Sequence, residues 1–237
     1  MKTHRLLWPT FWTIVAFATL VCLGVWQLQR LEWKTALIKE LNSAYQEDPA
    51  QTNLTYQKLQ ELPEGKILRG TLQGVAKPDH LTWLEMRPCN GLLGSDALLP
   101  VKTLDGYIWL NLGCVSSYNR GAVDKMITAR HNLIRVDIKG IALAPRKAAF
   151  KPENNAEENE WYQFDAQAMA DSVEINDIAP ILVIAEEKLA KGRDEIIPYS
   201  EHIMPANNHL QYAIFWFTMS LVLWVIYYFR FIRKSAS

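Results

Sequence analysis

The sequence predicts a membrane protein: two transmembrane helices flanking a mainly antiparallel α+β domain outside the cytoplasm, for which a barrel-like sheet is one option. Three observations carry this. Apolar, aromatic-rich runs lie near both ends, nearly all charge sits between them, and the middle breaks into short strand-like runs. The 237 residues divide into a first span at 6–28, a domain at 29–211, a second span at 212–229 and a tail at 230–237.

The first run, Leu6–Leu28, carries no charged side chain. Its helix would be about 34 Å long, enough for a hydrocarbon core of about 30 Å. Pro9 falls in the first turn, where a missing amide costs little. The second run, Tyr212–Phe229, gives about 27 Å and is crowded with Tyr, Trp and Phe at both ends, as interfacial belts are. A cleaved signal peptide is the competing reading of the first run. It fails on length and on the lack of a small-residue cleavage site, and Val21 before Cys22 spoils a lipoprotein site.

Basic flanks set the orientation. Arg230, Arg233 and Lys234 follow the second span, whereas residues 194–211 before it contain no Lys or Arg. The tail therefore belongs in the cytoplasm, and two spans bring the N-terminus, with Lys2 and Arg5, to the same side. Arg30, Lys34 and Lys39 oppose this weakly. With no Arg-rich leader ahead of the first span, the expected location is a bacterial inner membrane with a periplasmic domain.

After the first span, Glu32–Ala44 has helical apolar spacing at Trp33, Leu37 and Leu41. Strand-like runs follow at Lys66–Val75, His80–Met86, Ala97–Lys102, Tyr107–Val115, Ile134–Leu143 and Pro180–Glu186, with Asp105-Gly106 as a hairpin turn. Residues 107–112 are apolar on nearly both faces, as a central strand would be. Gly121–Arg130 and Asp165–Ser172 predict short helices, the second with Asp165 as its N-cap. Phe150–Glu160 is an acidic, asparagine-rich loop. No internal repeat, coiled-coil heptad run or low-complexity tract is visible.

The 25 basic and 25 acidic residues cancel, so no nucleic-acid footprint is expected. Phosphate loop, dinucleotide fingerprint, CxxC, HExxH and nucleophile elbow are all missing, so an enzyme is not expected. Cys89 and Cys114 would lie in an oxidising compartment. They read either as a disulfide closing a loop of 26 residues or as two buried thiols, and a thiol enzyme built on Cys114 is a remote third option.

The polar cluster at the outer membrane interface carries the candidate site. The topology brings the end of the first span, with Trp26, Gln27, Arg30 and Lys34, to the same depth as Asn207, Asn208, His209, Gln211 and Tyr212. Asn207 or Asn208 would cap the second helix and leave His209 in its first turn. The positive end of the helix disfavours an imidazolium there, which suits a metal ligand. Arg30 and Lys34 suit carboxylates, whether of lipid headgroups or of haem propionates. Ordinary interfacial anchoring would use the same residue types. His80, His131, His202 and Met204 default to surface or packing roles.

Leu23–Lys34 (LGVWQLQRLEWK) and Pro205–Phe217 (PANNHLQYAIFWF) resemble the two end signatures of the Surfeit locus protein family, called Shy-one in yeast. Gly91–Val115 is similar to the family's hairpin segment. The stretch from Val136 through Trp161-Tyr162 to Pro180-Ile181-Leu182-Val183 keeps its order and spacing, so the resemblance covers essentially the whole chain. One departure stands out: where the family commonly shows Asn-Arg-Gly-Trp, this chain has Asn111-Leu112-Gly113-Cys114. The resemblance implies an assembly factor for cytochrome c oxidase that handles haem a for the catalytic subunit. Its implied partners are that subunit, the haem a synthesis machinery and membrane lipid. It further implies His209 as the iron ligand, Arg30 or Lys34 at the carboxylates, and Gln27, Asn208 or Gln211 orienting the imidazole, with Tyr212 beside them. The alternative is a cofactor-free scaffold in which Trp26, Arg30, Gln211 and Tyr212 pack helices or grip a partner.

Overall fold

The structure is a computed structural model and describes residues 4–63, 65–129, 132–144, 152–189, 195–199 and 205–233. Lys2, His131, His202, Met204, Lys234 and the start of the 150–160 loop lie outside that set. The elements in chain order are helix α1 (His4–Gln46), helix α2 (Tyr56–Gln60), strands β1 (Ile67–Ala76), β2 (Thr82–Cys89), β3 (Leu92–Lys102) and β4 (Tyr107–Ser116). Helix α3 (Arg120–Thr128), strand β5 (Ile134–Leu143), helix α4 (Ala166–Asp171), strand β6 (Ile178–Ala185) and helix α5 (His209–Tyr227) complete them. The chain forms two compact units, Met1–Lys39 with Met204–Ser237, and Glu40–Ile203.

In the first unit, α1 and α5 are both long and apolar enough to cross a membrane. The expected span at 6–28 and the expected helix at 32–44 are one continuous helix of 43 residues, about 65 Å long. The reason is local: between Gly24 and Pro49 the sequence has no Gly or Pro to break it. Helix α5 begins at His209, three residues before the expected Tyr212, and a π-type turn over Tyr228–Ile232 follows it. Asn208 is at the N-cap position as expected, but its φ of −98° and ψ of 9° turn the side chain away from any capping bond.

The two helices meet along a seam that steps by sevens on α1 and by three and then seven on α5. Thr10 Oγ1 lies 2.6 Å from the Tyr227 hydroxyl, Phe17 meets Trp224 edge to face at 5.6 Å, and Gly24 lies against Phe217. A Cβ at residue 24 would sit 2.6 Å from the Phe217 ring, so glycine is what lets the helices approach there. Ala213 and Ser220 are buried on the facing side. Steps of seven and three residues are those of a coiled-coil seam. Hydrophobic pattern alone hides it, because the surrounding positions are as apolar as the seam.

In the second unit the six strands form one mixed sheet in the order β1-β5-β6-β4-β3-β2. Only β4 and β6 run parallel; the other pairings are antiparallel. Val75 and Ala76 also pair with Lys102 and Val101, so β1 returns to the end of β3 and the pairings form a ring, with β2 on the earlier part of the same β3 edge. Asn90 (φ 48°) and Gly91 (φ 78°) make the two-residue β2–β3 turn, in the positive-φ geometry such hairpins favour. The strands on either side of it are longer than expected, because this Asn-Gly signal and the bulge at Met86 (φ 57°) interrupt the apolar run rather than the ladder.

Both faces of the sheet are covered. One packs Leu54, Leu72, Ile108, Leu110, Val123 and Ile138; the other packs Leu84, Leu98, Trp109, Trp161, Met169 and Leu182. Strand β4, between β3 and β6, contributes to both, as its apolar sequence predicts. Asp165 caps α4 by accepting from the Ala168 amide at 3.2 Å. Arg69 closes the far end of α1. Its Nη1 donates to the carbonyls of Tyr45 and Glu47 at 3.1 and 3.2 Å, while its Nε is held by Glu186 at 2.9 Å.

Candidate functional site

His209 and Gln27 are joined directly. The imidazole Nδ1 lies 2.7 Å from the amide oxygen Oε1 of Gln27, whose side chain is buried on α1. A carbonyl oxygen only accepts, so Nδ1 is the donor in this contact, and a neutral ring donating there has its lone pair on Nε2. Of the three groups expected to orient the imidazole, Gln27 makes the contact. Gln211, two residues beyond His209, falls on roughly the opposite side of α5 and is exposed. The carbonyl of Asn208 takes up the Tyr212 amide at 3.3 Å.

Around this pair, α1 presents an exposed cation on aromatic faces. The Arg30 guanidinium lies 4.9 Å from the ring centre of Trp33 and 5.8 Å from that of Trp26. Lys34 follows one turn later and is half-buried, while Tyr212 is exposed on α5. Asn207 donates to the Thr35 hydroxyl at 3.3 Å, and its own carbonyl oxygen is buried with no hydrogen-bond partner among the described residues.

These groups fit a haem with one protein ligand. One imidazole nitrogen is fixed by a buried amide, and the other would be the one to ligate a metal, since ligating histidines are commonly oriented through their second nitrogen. Among the described residues no group of three or more His, Cys, Asp or Glu side chains comes together, and His209 would offer single-point ligation. Arg30 supplies the cation that a carboxylate needs.

The sheet contains a polar cluster that sequence reasoning missed. Asp96, on β3, accepts from the Tyr199 hydroxyl at 2.6 Å and from Asn111 Nδ2 at 2.9 Å, with Arg87 Nε at 3.6 Å. Burial, together with the Asp96 carboxylate, pushes the Tyr199 phenol well above its ordinary range. Asn111 Oδ1 accepts from the Gly113 amide at 2.8 Å, and Gly113 adopts a φ of 128°. Residue 114 then exchanges main-chain hydrogen bonds with Ile197, each 2.9 Å. The Asn-x-Gly of the departing motif is therefore backbone architecture. Leu112, where the family's arginine would stand, is buried in the core. Cys89 and Cys114 are bonded to each other with Cα atoms 5.5 Å apart, which decides between the disulfide and the free thiols. His80 makes no metal site; burial, then Lys77, pulls its imidazole below the usual range.

Residues 14–221 match the model of the SURF1 family, a stretch that includes both members of the Gln27–His209 pair. The chain belongs to the SURF1 family. It is 26% identical to Surfeit locus protein 1 of Gallus gallus, over 96% of this chain and 76% of the relative. The SURF1-like protein of Rickettsia felis is 27% identical over 90% of this chain and 92% of its own length. Surfeit locus protein 1 of Homo sapiens is 27% identical over 90% of this chain and 74% of its own length. In this SURF1-family protein the matched region runs through the disulfide-bearing hairpins as well as both apolar helices.

Proposed function

We propose that this SURF1-family protein is a non-enzymatic assembly factor for cytochrome c oxidase that holds haem a at the outer end of its helix pair and passes it to the catalytic subunit. The observation that carries this is the 2.7 Å Gln27–His209 contact, which turns Nδ1 to the amide and makes Nε2 the nitrogen available to a metal at the end of an apolar helix. Haem a would supply iron for Nε2, and Arg30 or Lys34 would meet its carboxylates. The setting is a bacterial inner membrane, with both termini cytoplasmic and the sheet domain periplasmic. The Cys89–Cys114 bond supports that side, since disulfides persist in oxidising compartments.

A haem-free scaffold draws on the same contact. A buried amide–imidazole bond between two membrane helices also serves as polar glue, worth about 0.6–2 kcal/mol. The test purifies the full chain from cells that make haem a and records its spectrum. The expected result is a haem a spectrum that His209→Ala abolishes and Gln27→Leu weakens, with the catalytic subunit copurifying. Copurification with no haem at all would transfer the assignment to the scaffold.

A further inference from the structure

A recess of about 360 Å³ opens on one flank of the helix pair, lined by Ala16, Thr19 and Leu20 on α1 and by Met219, Val222, Leu223 and Ile226 on α5. Its position follows from helical phase. At 100° per residue, the three α1 residues fall within a sector about 100° wide, and Arg30 and Lys34 fall within that same sector. On α5, the four recess residues and Tyr212 likewise share one sector about 100° wide. The recess therefore lies directly beneath the Arg30–Tyr212 side of the candidate site. At 1.5 Å per residue it begins about 10 Å below Gln27 and reaches about 25 Å below His209.

We propose that this recess holds an isoprenoid chain belonging to the ligand whose head engages His209, an inference that rests on the haem-holding reading above. Three features select that occupant. The lining is apolar except for Thr19, whose hydroxyl is already bonded to the Val15 carbonyl at 2.9 Å, so nothing in it asks for a polar partner. The small side chains of Ala16 and Thr19 leave a channel where larger ones would close the flank. About 15 Å above its upper end, on the same flank of α1, lies the exposed Arg30 cation, with the His209 imidazole at the same level, so the matching molecule joins an anionic, metal-bearing head to a long apolar chain. A phospholipid has the chain but no metal for Nε2.

The full chain, purified in lipid nanodiscs, is titrated with haem a and with haem b, which lacks the chain, and a photoreactive farnesyl derivative is crosslinked to it. Wild type should bind haem a about tenfold or more tightly than haem b, because a tethered second contact multiplies affinity. The recess-filling variant A16L/V222F should lose that difference and leave haem b binding unchanged. The label should concentrate on Met219 and Val222, yielding to excess haem a and not to phospholipid. A variant that weakens both haems alike or neither, or label spread evenly over the lipid-facing side chains, would overturn the proposal. Haem a bound through His209 with no loss in the filled variant would sink the recess alone. Label confined to the recess in a protein that binds neither haem would sink the haem reading and leave the isoprenoid site standing.

Discussion

Replacing Cys89 and Cys114 with alanine removes the single disulfide of the strand-rich unit. The bond joins the end of β2 to β4 across a separation of 25 residues. In the chain-entropy model that loop is worth about 12 cal/mol/K in the unfolded ensemble, or about 3.5 kcal/mol at 25 °C. Residues 40–203 form this unit, and at about 2.1 cal/mol/K per residue its unfolding entropy is roughly 0.34 kcal/mol/K. The expected drop in Tm is therefore about 10 °C. Both sulfur atoms are buried, so a small cavity adds to the loss. Near-UV circular dichroism of the purified chain, followed through thermal unfolding, reads the change. Wild type with reductant should fall by a similar amount. A drop below about 3 °C in the double variant would refute the loop-closure reasoning, because the hairpins would then already hold β2 and β4 together in the unfolded chain.

Tyr199→Phe should flatten the alkaline limb of stability. The folded phenol is raised above its unfolded value of 10.0, so its contribution is complete below about pH 10 and is lost as pH rises beyond it, by at most about 1.4 kcal/mol per pH unit; urea unfolding at pH 8 to 11 measures the slope. Gly113→Ala puts a Cβ against the Ile197 carbonyl at a φ of 128° and should cost about 2 kcal/mol or more, read in the same urea assay, with detachment of the 195–199 segment seen as faster amide exchange at Ile197. Gly24→Val should separate α1 from α5 at Phe217, lowering the yield of a disulfide engineered between positions 10 and 227, and Phe217→Ala should restore it because the clash is with a ring.

The periodicities and the charge distribution were enough to locate most of the elements, since apolar runs and turn residues act over a few neighbours.

 Ile134–Leu143 coincides with the observed β5, and Asp165 caps α4 as its side chain dictates. His209 at the start of the second helix followed from the same local logic. What sequence did not reveal was pairing at a distance. Nothing in the order of residues says that Arg69 reaches the end of α1, or that Tyr199 and Asn111 converge on Asp96.

Sequence alone determined which segments are apolar enough for a membrane, where most strands and helices lie, and which residues had the chemistry for a site. Those properties are fixed by composition and short-range periodicity. Tertiary structure decided that Gln27, rather than Asn208 or Gln211, meets His209, that Cys89 and Cys114 are bonded, and that β1 returns to β3. Each of these depends on the register between segments far apart in the chain, which is set by packing: Gly24 against Phe217 along the helices, and the pleat of buried side chains in the sheet.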